Sequence, residues 1–275
     1  KKREKCPPWV ISAEEVKHDK NKKTINYKNA WLKIYDVPVL YFPKFFHPDP
    51  TVERQTGFLK PELNNSNVLG SSITIPYFKV ISENKDFTLK STLFDKDMFM
   101  SQVEYRQVNK NSNIIADFGY VNNYKSSSDN TKKNMSHLFA KYDLDLNLEN
   151  FISSDFLMTL ERVVNDSYLK VFSPHITETV NLRPKNFNKL ENKFQIFLNH
   201  KKYNLESGFE TYETLNTNTS DRYQYVLPYY KVDWFIDQNY FDGSFSFNSY
   251  GANDLNNTNK LESSIINDLN YYSKN

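Results

Sequence analysis

The chain has 275 residues, enough for two soluble domains or one large barrel segment, and length alone does not choose between them. Its 35 basic and 33 acidic residues are spread along the chain and leave a net charge of +2, which excludes the cationic stripe of a nucleic-acid binder. Mean hydropathy is −0.70 and no run approaches the roughly 18–20 apolar residues of a spanning helix, which excludes a helical membrane protein but not a β-barrel, where only alternate residues meet lipid.

In chain order, Lys1-Lys2-Arg3 is basic, but Glu4, Cys6, Pro7 and Pro8 stand where a signal peptide would have its apolar core. An exported protein with this sequence would start upstream, and the chain reads as an internal piece of something longer. Cys6 is the only cysteine, so an internal disulfide framework and a cysteine zinc cluster are excluded. Residues 9–13, 24–27 and 30–35 are short β-prone runs separated by polar turns, of which 17–23 is the clearest. Residues 13–18 carry some helix propensity, yet Val10, Ser12, Glu14 and Val16 continue the alternation of the preceding run and predict strand. Such strands suit a jellyroll or a sandwich. Trp9, Ile11, Ile25, Trp31, Leu32 and Ile34 are candidates for its core or for the lining of an apolar interior.

Residues 37–46 are apolar and aromatic but contain Pro38 and Pro43, which remove ladder donors and predict an edge strand. His47-Pro48-Asp49-Pro50 is a stiff extended connector. The character of the chain changes there, which divides it into residues 1–50 and 51–275. From Gly57 onward, period-two runs alternate with clusters of Asn, Asp, Ser and Lys. Pro61 and Pro76 fall inside the first two runs, on either side of a turn expected at 64–67. A proline in a strand leaves its partner carbonyl unpaired, so the pair predicts a weak first hairpin. The alternative is that each proline simply ends a strand.

The second module carries long amphipathic strands. In residues 137–149, Leu138, Ala140, Tyr142, Leu144, Leu146 and Leu148 alternate with Phe139, Lys141, Asp143, Asp145, Asn147 and Glu149, a run well beyond the roughly 5–6 residues of common globular strands. Phe87 and Leu89, Phe156 to Leu160, Phe194 to Leu198, Phe245 and Phe247, and Leu261 to Leu269 repeat the pattern. About a dozen such strands, joined alternately by short connectors (109–112, 200–204) and long ones (122–134, 165–191), predict an outer-membrane barrel over a soluble sandwich. Its lumen would be lined by residues such as Lys141, Asp143, Asp145 and Glu161. The 19 Tyr and 21 Phe fit interfacial girdles or a tyrosine-rich sandwich alike. The five histidines have no metal-ligand spacing and read as solvated surface residues. Gly119, Gly208, Gly243 and Gly251 read as bends or bulges. No catalytic grouping, phosphate loop or cofactor motif is present, so the expectation is a non-enzyme without a cofactor.

Val37-Pro38-Val39-Leu40-Tyr41-Phe42-Pro43, Gly57-Phe58-Leu59-Lys60-Pro61, Ile75-Pro76-Tyr77-Phe78 and Val103-Glu104-Tyr105-Arg106 resemble, in order and roughly collinearly, the LPS-assembly protein LptD family of Gram-negative outer membranes. The resemblance implies an all-β chain, with the C-terminal part of a periplasmic β-jellyroll followed by the first part of a large transmembrane barrel. Its implied function is lipopolysaccharide transport into the outer leaflet through a lateral gate marked by Gly57, Pro61 and Pro76, with the jellyroll residues Trp9, Ile11, Ile25, Trp31 and Ile34 along the lipid path. It also implies a plug lipoprotein (LptE-like) inside the barrel, a periplasmic bridge protein (LptA-like) at the jellyroll edge, and a disulfide from Cys6 to a cysteine outside this chain. A free buried thiol is the other reading of Cys6. A porin-like channel for small solutes and a soluble carbohydrate-binding β-protein remain the alternatives in function.

Overall fold

The computed structural model describes residues 9–34, 36–52, 54–95, 97–126, 129–176, 182–215, 222–238, 243–256 and 259–273. The chain divides into two compact units, Lys1–Thr56 and Gly57–Asn275. The described residues are almost entirely strand, as the sequence predicts for an all-β chain.

The first unit is a three-stranded antiparallel sheet of β1 (Trp9–Asp19), β2 (Thr24–Ile34) and β3 (Val37–Pro48), in that order. Residues 13–18 lie within β1 as strand, and β3, which contains Pro38 and Pro43 and ends at Pro48, lies at an edge. The register passes from Lys28–Lys44 to Ala30–Phe42, skipping Asn29 and Pro43. Asn29 takes a left-handed φ of 50° there, a conformation its short polar side chain tolerates. That side chain accepts from the Tyr41 hydroxyl at 2.6 Å and donates to Glu14 at 2.5 Å, so it replaces the missing backbone pairing.

The second unit is one 13-stranded antiparallel sheet. Its strands are β4 (Gly57–Phe58), β5 (Glu62–Ser66), β6 (Gly70–Ser82), β7 (Lys85–Phe94), β8 (Phe99–Val108), β9 (Ser112–Ser126), β10 (Asp129–Asp145), β11 (Ser153–Val163), β12 (Lys189–Asn199), β13 (Tyr203–Thr214), β14 (Tyr223–Gln238), β15 (Gly243–Asn256) and β16 (Leu261–Ser273). From β6 to β16 each strand pairs with the one before it in sequence, while β4 and β5 both lie against the free side of β6. Side-chain hydrogen bonds tie successive tight turns together: Asn84 in the β6–β7 turn donates to Asn109 in the β8–β9 turn at 2.9 Å.

The structure moves several predicted boundaries. The first turn is at 67–69, not 64–67, and Pro61 lies between β4 and β5 rather than inside a strand. Within the stretch expected as a long loop at 122–134, residues 122–126 and 129–134 are strand, because β9 and β10 run on beyond the neighbouring strands and pair at Lys133–Tyr124 and Asp129–Ser126. The strand expected at 137–149 starts earlier and stops at Asp145, whose carboxylate accepts from the Asn147 N–H at 2.9 Å in a turn that the leucine alternation conceals.

The long connector expected after Asn165 is present, joining β11 to β12. It holds one helical turn, α1 (Tyr168–Val171), and folds back over the sheet. Tyr168, Leu169, Phe172, Ile176 and Leu182 of the connector pack with Phe94, Met100, Val121, Met135 and Phe139 of the strands in one buried cluster. Each such side chain contributes on the order of 1.5–3 kcal/mol when fully buried, so the connector is a packed element of the sheet.

Candidate functional site

Directly opposed residues in an antiparallel pair share a face, so the registers assign every side chain of the wall to one of two faces. On the bare face, away from the connector, Tyr77 pairs with Leu89, Leu89 with Val103, Val103 with Phe118 and Phe118 with Leu138, in a continuous row. Tyr142, Met158, Phe194 and Phe209 continue the band across later strands. These side chains are substantially open, with Phe118 at 49% exposure. The covered face is mixed: Phe94, Met100, Val121, Met135 and Phe139 pack under the connector, and Thr74, Thr88, Thr92, Gln102, Glu104, Asp117 and His137 are buried beside them.

The covered face is held by charge and hydrogen bonds. Arg106 contacts Asp86 at 2.6 Å, Glu104 at 2.8 Å and the Thr88 hydroxyl at 3.0 Å. Of the four residues predicted to line a lumen, Lys141 and Asp143 lie together on this face, 3.5 Å apart. Asp145 caps the turn after β10. Glu161 is buried in a join between strands. Backbone pairing of β11 with β12 ends at Thr159–Lys193, and beyond it the Glu161 carboxylate accepts from the Glu191 N–H while Asn192 accepts from the Glu161 N–H, each at 2.8 Å.

Under α1 lies a buried knot that sequence reasoning missed. The expectation that every histidine is a solvated surface residue fails for His137, which is 2% exposed inside β10. Its Nε2 lies 3.0 Å from Asp117, its Nδ1 lies 2.7 Å from the Tyr168 hydroxyl, and Gln102 donates to Asp117 at 2.8 Å. An Nε2–H donated to the carboxylate leaves Nδ1 to accept from the phenol, so each polar atom of the knot has a partner. Burial, with the Asp117 carboxylate nearby, pushes the Tyr168 phenol above its ordinary value and keeps its proton in place. Gly119, opposite His137, makes room: a Cβ there would lie 2.3 Å from the imidazole. A strand glycine facing a histidine that shares parity with Met135 and Phe139 was the available signal. With Asp117 and Tyr168 at 0% exposure, no substrate can reach the group, and its part is structural.

His175, the second buried histidine, sits edge-on to Phe94 with ring centroids 5.2 Å apart. Desolvation holds its pKa below the ordinary histidine value, with Glu62 opposing and Lys90 adding to the shift. The unfolded connector therefore binds more protons, and docking stability rises with pH through the window from the depressed folded value up to about 6.5, the unfolded value. Acidification from pH 7 to pH 5 should raise hydrogen exchange at residues 172–176, after correction for the intrinsic pH effect. A His175→Gln variant should lack that step.

The predicted gate residues lie on one seam. Gly57 and Phe58 pair with Phe78 and Tyr77, and the Leu59 N–H bonds the Pro76 carbonyl at 2.9 Å. Pairing resumes one residue out of phase at Glu62–Thr74, with Pro61 in the interruption. Opposed residues of this type normally exchange two hydrogen bonds, and Pro76, lacking an N–H, supplies only the acceptor. Its missing donor faces β4 and β5, so the β6–β7 ladder at Pro76–Lys90 loses nothing. The missing donor of Pro76 and the interruption at Pro61 fall on the same side of β6.

In the first unit, Ile11 pairs with Leu32, while Ser12 pairs with Trp31. The expected lining residues Ile11 and Trp31 therefore lie on opposite faces. Ile25 pairs with His18 and His47, and Trp9 pairs with Ile34 at the far end. Tyr27, Phe45 and His47 form an aromatic group, with the Tyr27 hydroxyl 2.8 Å from His47. Cys6 lies outside the described residues. Among the described residues no cluster of His, Cys, Asp or Glu could hold a metal, and no helix is long and apolar enough to cross a membrane.

No family model matches the chain. It is similar to the LPS-assembly protein LptD of Aeromonas salmonicida, 26% identical over 250 residues, which is 86% of this chain and 30% of that protein. It is 28% identical over 185 residues to the LPS-assembly protein LptD of Nitrosomonas eutropha, covering 64% of this chain and 24% of the relative. A shorter match, 36% identical over 105 residues, is to the LPS-assembly protein LptD of Aeromonas hydrophila, at 37% of this chain and 13% of the relative. The chain thus spans less than a third of the length of these curated relatives.

Proposed function

Because this chain belongs to the LPS-assembly protein LptD family, we propose that it serves lipopolysaccharide assembly as a stretch of outer-membrane β-barrel wall, with lipid leaving sideways at its proline edge. The observation that carries this reading is the seam of β4 and β5 against β6, where Pro76 lacks a donor and Pro61 sits in the break in pairing, both on one side of β6. The two faces of the wall support it. The apolar row through Phe118 is suited to hydrocarbon, while the polar face bearing Lys141 and Asp143 suits a charged sugar headgroup, so neither part of the lipid meets the cost of an unfavourable solvent. Strands of 10 to 17 residues from β6 to β16 are long enough for a tilted bilayer crossing, which takes about 9–11.

The three-stranded unit is read as the end of a periplasmic jellyroll whose face bearing Ile25 and Trp31 accompanies acyl chains, with Ile11 on the opposite face. A plug lipoprotein against the polar face and a periplasmic bridge at the jellyroll are the partners this reading requires. Cys6 is assigned a disulfide with a cysteine beyond this chain, in an oxidising compartment. The work is transport, without covalent chemistry.

The test is site-specific photo-crosslinking to lipopolysaccharide in cells, in the full-length protein, with a probe at Leu59 beside both prolines and a control at Leu144 on the bare face. Strong adducts at Leu59 and few at Leu144 are expected. Equal or absent adducts at Leu59, in protein shown to reside in the outer membrane, would replace the lateral exit with a solute channel. Pro76→Ala restores the donor facing Leu59, which should strengthen the seam by about 0.5–1.5 kcal/mol and lower the adduct yield at Leu59.

A further inference from the structure

Resting on the lateral-exit reading, we infer that the β11–β12 connector is an internal strap that holds the proline edge against β6 and is displaced by cargo on the covered face. The edge is weak along its ladder, but its tip is anchored. Leu69, in the turn between β5 and β6, is 2% exposed and belongs to the same buried cluster as Phe172 and Ile176 of the connector. Glu62 of β5 lines a small polar cavity together with Pro174, His175 and Ile176. The connector leaves β11 and reaches across to β5, passing over β7, β8, β9 and β10 on the way.

Its near end is fastened by different chemistry. Tyr168 is locked to His137, and Arg222 grips Asp166 through two bonds of 2.6 and 2.9 Å while also contacting Glu213 at 2.6 Å. Arg183 on the returning limb donates to the carbonyl and hydroxyl of Ser173 on the outgoing limb, at 3.2 and 3.0 Å. The strap is thus firmly tied at β10 to β13 and lightly tied at the edge, where its contacts are one apolar turn and a small cavity rather than a charge network. That asymmetry lets the far end lift while the near end stays seated. The strap lies over the same face of the sheet that bears Lys141 and Asp143, the face a lipid headgroup would follow, so headgroup and strap compete for one surface. Displacement of the far end removes the contacts at Leu69 and Glu62 and leaves the seam with only its depleted ladder.

The experiment locks the strap to the edge with the pair E62C and H175C in the full-length protein, the 62–175 link being verified by peptide mass so that a bridge to Cys6 is not mistaken for it. The photo-probe is at Leu59, and the readout is lipopolysaccharide adducts. Adducts in the reduced protein that are lost on oxidation and return on reduction are expected. Adducts that persist undiminished in the linked protein overturn the strap while leaving the lateral exit standing, whereas their absence even from the parent without the pair overturns the lateral exit and the strap with it. A second variant, Ile176→Ser, should speed amide exchange at residues 62–66 without changing it in β12 and β13. Unchanged exchange at the edge overturns the strap.

Discussion

Replacing Phe118 with lysine is expected to cost about 2–4 kcal/mol of stability in a bilayer, the range for a cation on the lipid side near the midplane of a barrel. Phe118 lies mid-strand in β9 on the bare face, between Val103 and Leu138, and is 49% exposed. In water such a substitution would be nearly free, since an exposed phenylalanine gives up little on becoming lysine. The effect therefore depends on the solvent that meets the bare face. The measurement is a pair of urea titrations, in lipid vesicles and in detergent micelles that let the side chain reach water. A loss confined to the bilayer supports the membrane wall. A cost below about 0.5 kcal/mol in both, the usual spread for surface substitutions, would make this a soluble sheet.

One residue earlier on the same strand the expected loss has a different origin. Asp117→Ala removes the acceptor shared by His137 and Gln102 at 3.0 and 2.8 Å, leaving two buried donors unpaired. Removing one member of such a buried group typically costs about 3–5 kcal/mol. Asp117→Asn, which keeps one acceptor, should cost less, and the loss should be the same in vesicles and micelles because the knot meets neither. The connector should loosen first, read as faster amide exchange at residues 168–172. A cost for Asp117→Ala below about 1 kcal/mol, no more than one ordinary hydrogen bond, would remove the knot as the anchor of the connector.

Much of the wall was legible because a strand needs only a period of two: Leu138, Ala140, Tyr142 and Leu144 declare their face with no knowledge of their partners. What stayed hidden depended on partners. His137 looks like any histidine at the start of a strand, and its burial follows from Asp117 and Tyr168, which lie 20 and 31 positions away in sequence. Residues 122–134 have the Asn, Ser and Lys content of a loop, yet 122–126 and 129–134 are strand, with pairs at Asp129–Ser126 and Lys133–Tyr124. The end of β10 was misplaced because Leu146 and Leu148 continue the alternation past a turn that Asp145 and Asn147 close through a side-chain bond. At the edge of the wall, the two prolines were visible as residues. That the missing donor of Pro76 and the break at Pro61 face the same side of β6 follows only from the register at Leu59 and Pro76.

The meander order has a kinetic consequence. From β6 to β16 each strand pairs with its predecessor, so apart from the β11–β12 join across the connector each step closes a small loop and the wall can lengthen one hairpin at a time. The connector's return to Leu69 and Glu62 is the exception, a contact that spans more than a hundred residues and cannot form until β7 to β11 stand in register. Docking of the connector therefore depends on the register of every strand beneath it. A slip of one residue anywhere between β7 and β11 turns the polar face outward and leaves Tyr168 without His137 to close on.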